Sequence, residues 1–188
     1  MTDMTPPRGR CCEDFDVGLV MRHPLGRTVT ATDNIWFALT TVNTNPIHFD
    51  AHYSAQTEFG RPLVNSCFTI ALVTGLSVAD VSRNAVNLGW DEVRMPSPLF
   101  EGDTVYAQSR VLSRRESTSR PTMGIVEIET TGFKQDGVVV MTFRRTILVY
   151  KRGHVPLRPE PAPVSGPTAG LADPPAAGFG AASSGERT

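Results

Sequence analysis

Val126, Ile128 and Thr130 alternate with Glu127 and Glu129. That period-two pattern predicts a strand with one buried face and one wet face. Four segments of this character, AVNLGWDEVRMP, TVYAQSRVLSRRES, GIVEIETTGFKQ and VVVMTFRRTILVY, occupy most of the chain from Ala85 to Tyr150. Gln135-Asp136-Gly137 between the last two is a tight-turn signal, so those strands should pair as a hairpin. Upstream the period changes. SCFTIALVTGLSVADVSR is apolar nearly all the way round, contains no proline, and predicts a helix buried at the centre of the domain. Before it, Thr30 to Asp33 offer capping residues ahead of IWFALTTVN, where Ile35, Trp36, Leu39 and Val42 recur at helical spacing. Pro46 disfavours helical geometry at Asn45 and ends that helix. Thr28 and Val29 add strand character before it, and 50–59 predicts one or two short helical turns. One long helix followed by an antiparallel meander implies an α+β domain, its sheet wrapped round the helix. Such a single sheet leaves an exposed edge that pairing would cover.

Composition narrows the class. The chain has 188 residues, 40% hydrophobic and 20% charged, enough for one substantial core. The net charge of −1 supplies no basic field to recruit nucleic acid or an anionic membrane. No apolar run nears the roughly 20 residues of a membrane span, and the N-terminus lacks the apolar core of a secretory signal. The expectation is a soluble, cytoplasmic protein. From Gly153 onward Pro, Gly, Ala and Ser dominate, a composition that cannot bury enough apolar surface to offset its ordering entropy. The expected organisation is therefore a flexible 1–12, a folded 13–152 and a disordered 153–188. Cys11, Cys12 and Cys67 form neither a disulfide framework nor a zinc site. Cys67, within the apolar helix, reads as a buried thiol. Trp36 and Trp90 read as core.

The segment with chemical content is TVNTNPIHFDAHYSAQTEFGRPLVNS, residues 41–66. It sets His48 just after a proline-fixed turn, with Asn43 nearby, and leads into the start of the long helix. Adding water to a conjugated thioester needs a group that takes a proton from water and one that delivers a proton to the α-carbon. It also needs donors for the enolate oxygen. A helix start has unpaired backbone N–H groups suited to that oxygen, and Asn65-Ser66-Cys67 stands where they would be. On residue type alone, His48 is as readily a polar loop residue, Asn43 a helix terminator and Ser66 an N-cap. Arg144 and Arg145 project to opposite faces of the last strand, so one of them must sit at an edge, an interface or a paired site.

NTNPIH at 43–48 resembles the Asp-x-Asn-Pro-x-His motif of MaoC-like (R)-specific enoyl-CoA hydratases. FDAHYSAQTEFGRPLVNS is similar to that family's spacer ending in Arg-Pro-(aliphatic)-Val-His-Gly, and PSPLFEGDTVYAQSRVL to its strand-opening segment. The resemblance covers most of 13–152. It implies a single hot-dog fold, a homodimer, and an acyl-CoA thioester as substrate, with no metal or redox cofactor. By position His48 matches the catalytic His and Asn43 the catalytic Asp. Ser66 matches the Gly whose N–H contacts the thioester oxygen, and Asn65 replaces the preceding His.

An amide at position 43 cannot take up a proton as a carboxylate does. Either His48 performs both proton steps through a water that Asn43 orients, or Asp50 substitutes. NTNPIHFD with RPLVNS resembles a subgroup associated with short branched dicarboxylic thioesters, of the mesaconyl-CoA or itaconyl-CoA type. The free carboxylate of such a substrate needs a cation, for which Arg61, Arg94 and Arg22 are available. The rival readings are a dehydratase acting on a carrier-protein-bound thioester, a thioesterase, and a non-catalytic acyl-CoA-binding protein.

Overall fold

A computed structural model of the chain describes residues 9–157. The remaining parts of the expected termini, 1–8 and 158–188, lie outside the described residues. The compact unit runs through Pro156. Its elements are β1 (Val20–Arg22), β2 (Arg27–Thr28), α1 (Ala31–Thr40), α2 (Ala51–Ser54), α3 (Ser66–Val81), β3 (Ala85–Arg94), β4 (Thr104–Glu116), β5 (Met123–Lys134) and β6 (Val139–Tyr150). Short 3-10 turns at Cys12–Asp14 and Pro46–His48 complete them.

The strands form one antiparallel sheet in the order β1-β4-β5-β6-β3, with β2 also pairing β4. β5 and β6 are the expected hairpin. Gly137 turns it at φ +84°, a left-handed conformation natural to glycine. α3 lies across the concave face and sends Thr69, Val73, Leu76, Ser77 and Val81 into it. Val73 and Leu76 meet Val105, Ala107, Met141 and Phe143, while Val81 joins Val111, Val126, Ile128 and Ile147 in a second core cluster. This is a single hot-dog α+β fold. No helix among the described residues is long and apolar enough to cross a membrane.

Four expectations need correction. α3 buries one side only, because one sheet covers one face of a helix; Cys67 and Val78 are exposed. On α1 the buried positions are Asn34 and Ala38, not the apolar Ile35, Trp36 and Leu39, and Trp36 is 75% exposed. Trp90 is 44% exposed because β3 is an edge strand, as are its apolar neighbours Val86 and Leu88. At the N-terminus, packing begins inside the stretch expected to be flexible: Cys12 is buried in the second cluster beside Phe15.

Candidate active site

The site is built where three segments converge: the loop 43–48, the stretch Leu63–Asn65, and the start of α3. Val42 leaves α1 at φ +60° and delivers the chain to Asn43. The Asn43 Oδ1 accepts from the Asn45 N–H at 3.1 Å, and the Asn45 Oδ1 accepts from the Ile47 N–H at 3.2 Å. These two side-chain-closed turns, with Pro46 opening the 3-10 turn, set His48 at its end. The Leu63 N–H donates to the Ile47 carbonyl at 3.0 Å, tying the loop to the next segment.

His48 is 9% exposed. Its Nδ1 lies 2.8 Å from the Leu63 carbonyl oxygen. A carbonyl only accepts, so Nδ1 carries the proton and the neutral imidazole keeps its basic lone pair on Nε2. His48 lines a cavity of ≈ 280 Å³ whose walls include Phe59, Leu63, Ser66, Thr69 and the segment Met95–Leu99. Asn65, not Ser66, is the N-cap of α3: its Oδ1 accepts from the Cys67 N–H at 2.8 Å and the Phe68 N–H at 3.4 Å. Ser66, the first residue of α3, stands at the positive end of the helix dipole and lines the same cavity as His48. A base and an anion-favouring helix start thus share one cavity.

The other expected residues are placed differently. Asn43 is half-buried, with its Oδ1 engaged in the turn, and is not among the cavity-lining residues. Asp50 caps α2 through the Tyr53 N–H at 2.9 Å, a structural role. The Arg61 guanidinium lies 4.1 Å over the Phe100 ring, and Phe100 packs on Phe59 of the cavity wall. Arg94 ends β3 one residue before Met95, another wall residue. Arg22 pairs in β1 opposite Gln108, away from this cavity. A second hollow of ≈ 510 Å³ between α1 and α3 is lined by Leu25, Phe37, Phe68 and Leu72 and holds no acid or base other than Arg27.

Two features were not legible beforehand. Asn34, on the buried side of α1, bonds to the loop 43–48 and at both ends of Leu63–Asn65, whose Asn65 caps α3. It donates through Nδ2 to the His48 carbonyl at 2.7 Å and to the Leu63 carbonyl at 3.0 Å. Its Oδ1 accepts from the Asn65 N–H at 2.8 Å. The one available signal was a polar residue beside the apolar ones of a short helix. His23 is buried between Asp80 and Ser109, with Nδ1 to Oδ2 at 2.8 Å and Nε2 to Oγ at 2.9 Å. The arrangement has the members of a hydrolytic triad, but Ser109 is 1% exposed and bonds onward to Thr130 at 2.9 Å. No substrate reaches it.

The fold and this site define a MaoC-like hot-dog protein. Residues 2–159 match the model of the family described as mesaconyl-CoA hydratase, and the chain belongs to that family. It is 34% identical over 165 residues to a mesaconyl-CoA hydratase of Cereibacter sphaeroides, covering 82% of this chain and 45% of that one. It is 26% identical over 156 residues to a β-methylmalyl-CoA dehydratase of Chloroflexus aurantiacus, covering 75% of this chain and 44% of that one. A MaoC domain protein dehydratase structure from Chloroflexus aurantiacus J-10-fl superposes with a TM-score of 0.75 at 27% identity, over 87% of this chain and 46% of that one. The chain thus spans about half the length of the curated relatives it matches.

Proposed function

We propose that the protein adds water reversibly across the double bond of an α,β-unsaturated acyl-CoA thioester. The observation that carries this reading is the His48 Nδ1–Leu63 carbonyl bond, which leaves Nε2 as a base in the cavity that Ser66 and the α3 terminus also line. In the forward direction Nε2 takes a proton from water as the water oxygen bonds to the β-carbon. The π pair moves through the α-carbon onto the thioester oxygen, which the Ser66 N–H stabilises. The imidazolium then returns its proton to the α-carbon as the enolate collapses, so H and OH have been added and His48 is restored. Water addition changes no overall oxidation state, so the step as written needs no redox cofactor; His48 supplies the base and the Ser66 N–H the enolate stabilisation. On this reading Asn43, whose Oδ1 is held by the Asn45 N–H, acts by closing the turn that sets His48 rather than by touching the water.

For the substrate we favour a short branched dicarboxylic thioester of the mesaconyl-CoA type. Its support is the family and two arginines, Arg61, whose guanidinium lies over Phe100, and Arg94, the chain neighbour of the wall residue Met95; neither has a carboxylate partner among the described residues. For the assembly we favour a homodimer through β3, whose exposed edge carries Val86, Leu88 and Trp90. Light scattering on Trp90→Glu against the parent chain tests it, and an unchanged dimer would move the interface elsewhere.

The deciding experiment incubates the protein with mesaconyl-CoA, itaconyl-CoA and crotonyl-CoA and follows the enoyl-thioester absorbance, alongside His48→Ala. Turnover of a dicarboxylic thioester that is abolished in the variant establishes both parts of the reading. Turnover of crotonyl-CoA alone removes the dicarboxylate assignment. Near-full activity in His48→Ala overturns the mechanism.

A further inference from the structure

Asn34 is 3% exposed, deep in the joint between α1 and the site. A buried amide of this kind has a forced orientation. Two of its neighbours are carbonyls that require the NH2 end and the third is an N–H that requires the oxygen, so the hydrogen bonds assign Oδ1 and Nδ2. All three neighbours are backbone groups of the segments that carry the chemistry. The His48 carbonyl belongs to the base itself, and the Asn65 N–H belongs to the residue that caps α3 and precedes Ser66. The Leu63 carbonyl is the group to which the His48 Nδ1 donates. Leu63 oxygen therefore receives two donors, Asn34 Nδ2 at 3.0 Å and His48 Nδ1 at 2.8 Å, which together use both of its lone pairs.

From this we infer that Asn34 is a positioning residue, holding the Leu63 carbonyl where it keeps His48 in its Nδ1–H form while locking Ser66 at a set place relative to Nε2. The inference rests on the proposed acid/base role of His48. Its reach is what separates it from a packing residue. One rigid side chain spans the base's backbone, the base's tautomer and the anion-binding helix start, so its loss disturbs the alignment of groups that never touch each other. Misplacement of that kind lowers kcat more than it changes substrate affinity.

The test uses Asn34→Ala and the milder Asn34→Ser, both verified as folded by circular dichroism at the working temperature. Protein labelled with 15N-histidine is examined by NMR at a pH where the imidazole is neutral, with the His48 signals assigned from their loss in His48→Gln. The wild type is expected to show the Nδ1–H form. The variants are expected to show a rise of about fivefold in the Nε2–H form, as the loss of about 1 kcal/mol of preference gives. With the preferred thioester, kcat should fall about tenfold to a hundredfold while KM stays within about threefold. A wild-type Nε2–H form, or an unchanged tautomer ratio in both folded variants, overturns the inference even where kcat falls, since that fall would then be structural. If the wild type turns over none of the thioesters, the hydratase reading falls, and the tautomer ratio still decides whether Asn34 sets the state of His48.

Discussion

His23 Nε2 and Ser109 Oγ meet at 2.9 Å beneath α3, each in a fully desolvated position. His23 also bonds Asp80 and Ser109 also bonds Thr130, so the pair links β1's end, α3, β4 and β5 through one chain of side chains. Removing one member leaves the next a buried polar group short of a partner. His23→Ala is expected to cost about 2–3 kcal/mol in urea unfolding. A double-mutant cycle with Ser109→Ala should return a coupling of roughly 1 kcal/mol. Additive effects would mean that the contact carries no net energy.

Val42 holds φ +60° with its side chain 79% exposed. A β-branched residue in the left-handed region is strained, and little packing repays it here. Asparagine tolerates that conformation, so Val42→Asn should stabilise the fold by roughly 0.5–1 kcal/mol. A thermal melt checks this. A lower Tm would show that Val42 makes contacts worth more than the strain.

The Asp33 carboxyl is pushed up by burial, but its bonds from the Thr30 backbone and hydroxyl and the nearby Arg27 guanidinium outweigh that and hold it below 3.8. A carboxylate with a depressed folded pKa adds stability that is present above its unfolded pKa and lost as pH falls through the folded value. Asp33→Asn should therefore destabilise the protein at pH 7, by about 0.5–1 kcal/mol for a helix-capping interaction. The difference from the parent chain should shrink below about pH 4. A difference that stays constant from pH 7 to pH 3 would show that the ionised form adds nothing.

Arg145 is 1% exposed and donates from Nη2 to the Ser77 Oγ at 3.1 Å, while its Nε has no partner. Burial pushes its guanidinium down to about 10. The sign is that of a buried cation: the charged form is penalised in the fold throughout the neutral range, and the penalty fades only as pH rises past the folded value. Arg145→Met removes the charge while keeping volume, and the Tm at pH 7 should hold or rise. A fall of several degrees would show that the Ser77 bond and the packing of the Arg145 stem outweigh the cost of burying its charge.

How much of this was legible follows the range of the interactions. The alternation through Val126, Ile128 and Thr130, the Asp136-Gly137 turn and the Thr30–Asp33 cap are local, decided by neighbours within a few residues, and each appears where its pattern predicts. The Pro46 turn and His48 are local as well, which is why NTNPIH could be read as the chemical segment. Which face of a helix is buried is not local. α1 turns Asn34 and Ala38 inward and leaves Trp36 in solvent, because the inner side of that helix faces three backbone groups that need hydrogen-bond partners, and an amide satisfies them where an indole cannot.

The chain by itself determined its elements, its hairpin and the identity of its candidate base, since propensity, turn chemistry and period act over a few residues. Only the tertiary structure decided that the His48 Nδ1 meets Leu63, that Asn34 joins their segments, that His23 is buried against Asp80, and that Arg145 rather than Arg144 goes inside. Those outcomes depend on desolvation and on bonds between residues 14 to 68 positions apart or more, such as Asn34–His48 and Ser77–Arg145. Such pairs leave no periodic trace in a sequence, because what selects them is the shape of the space that remains once the sheet has closed over the helix.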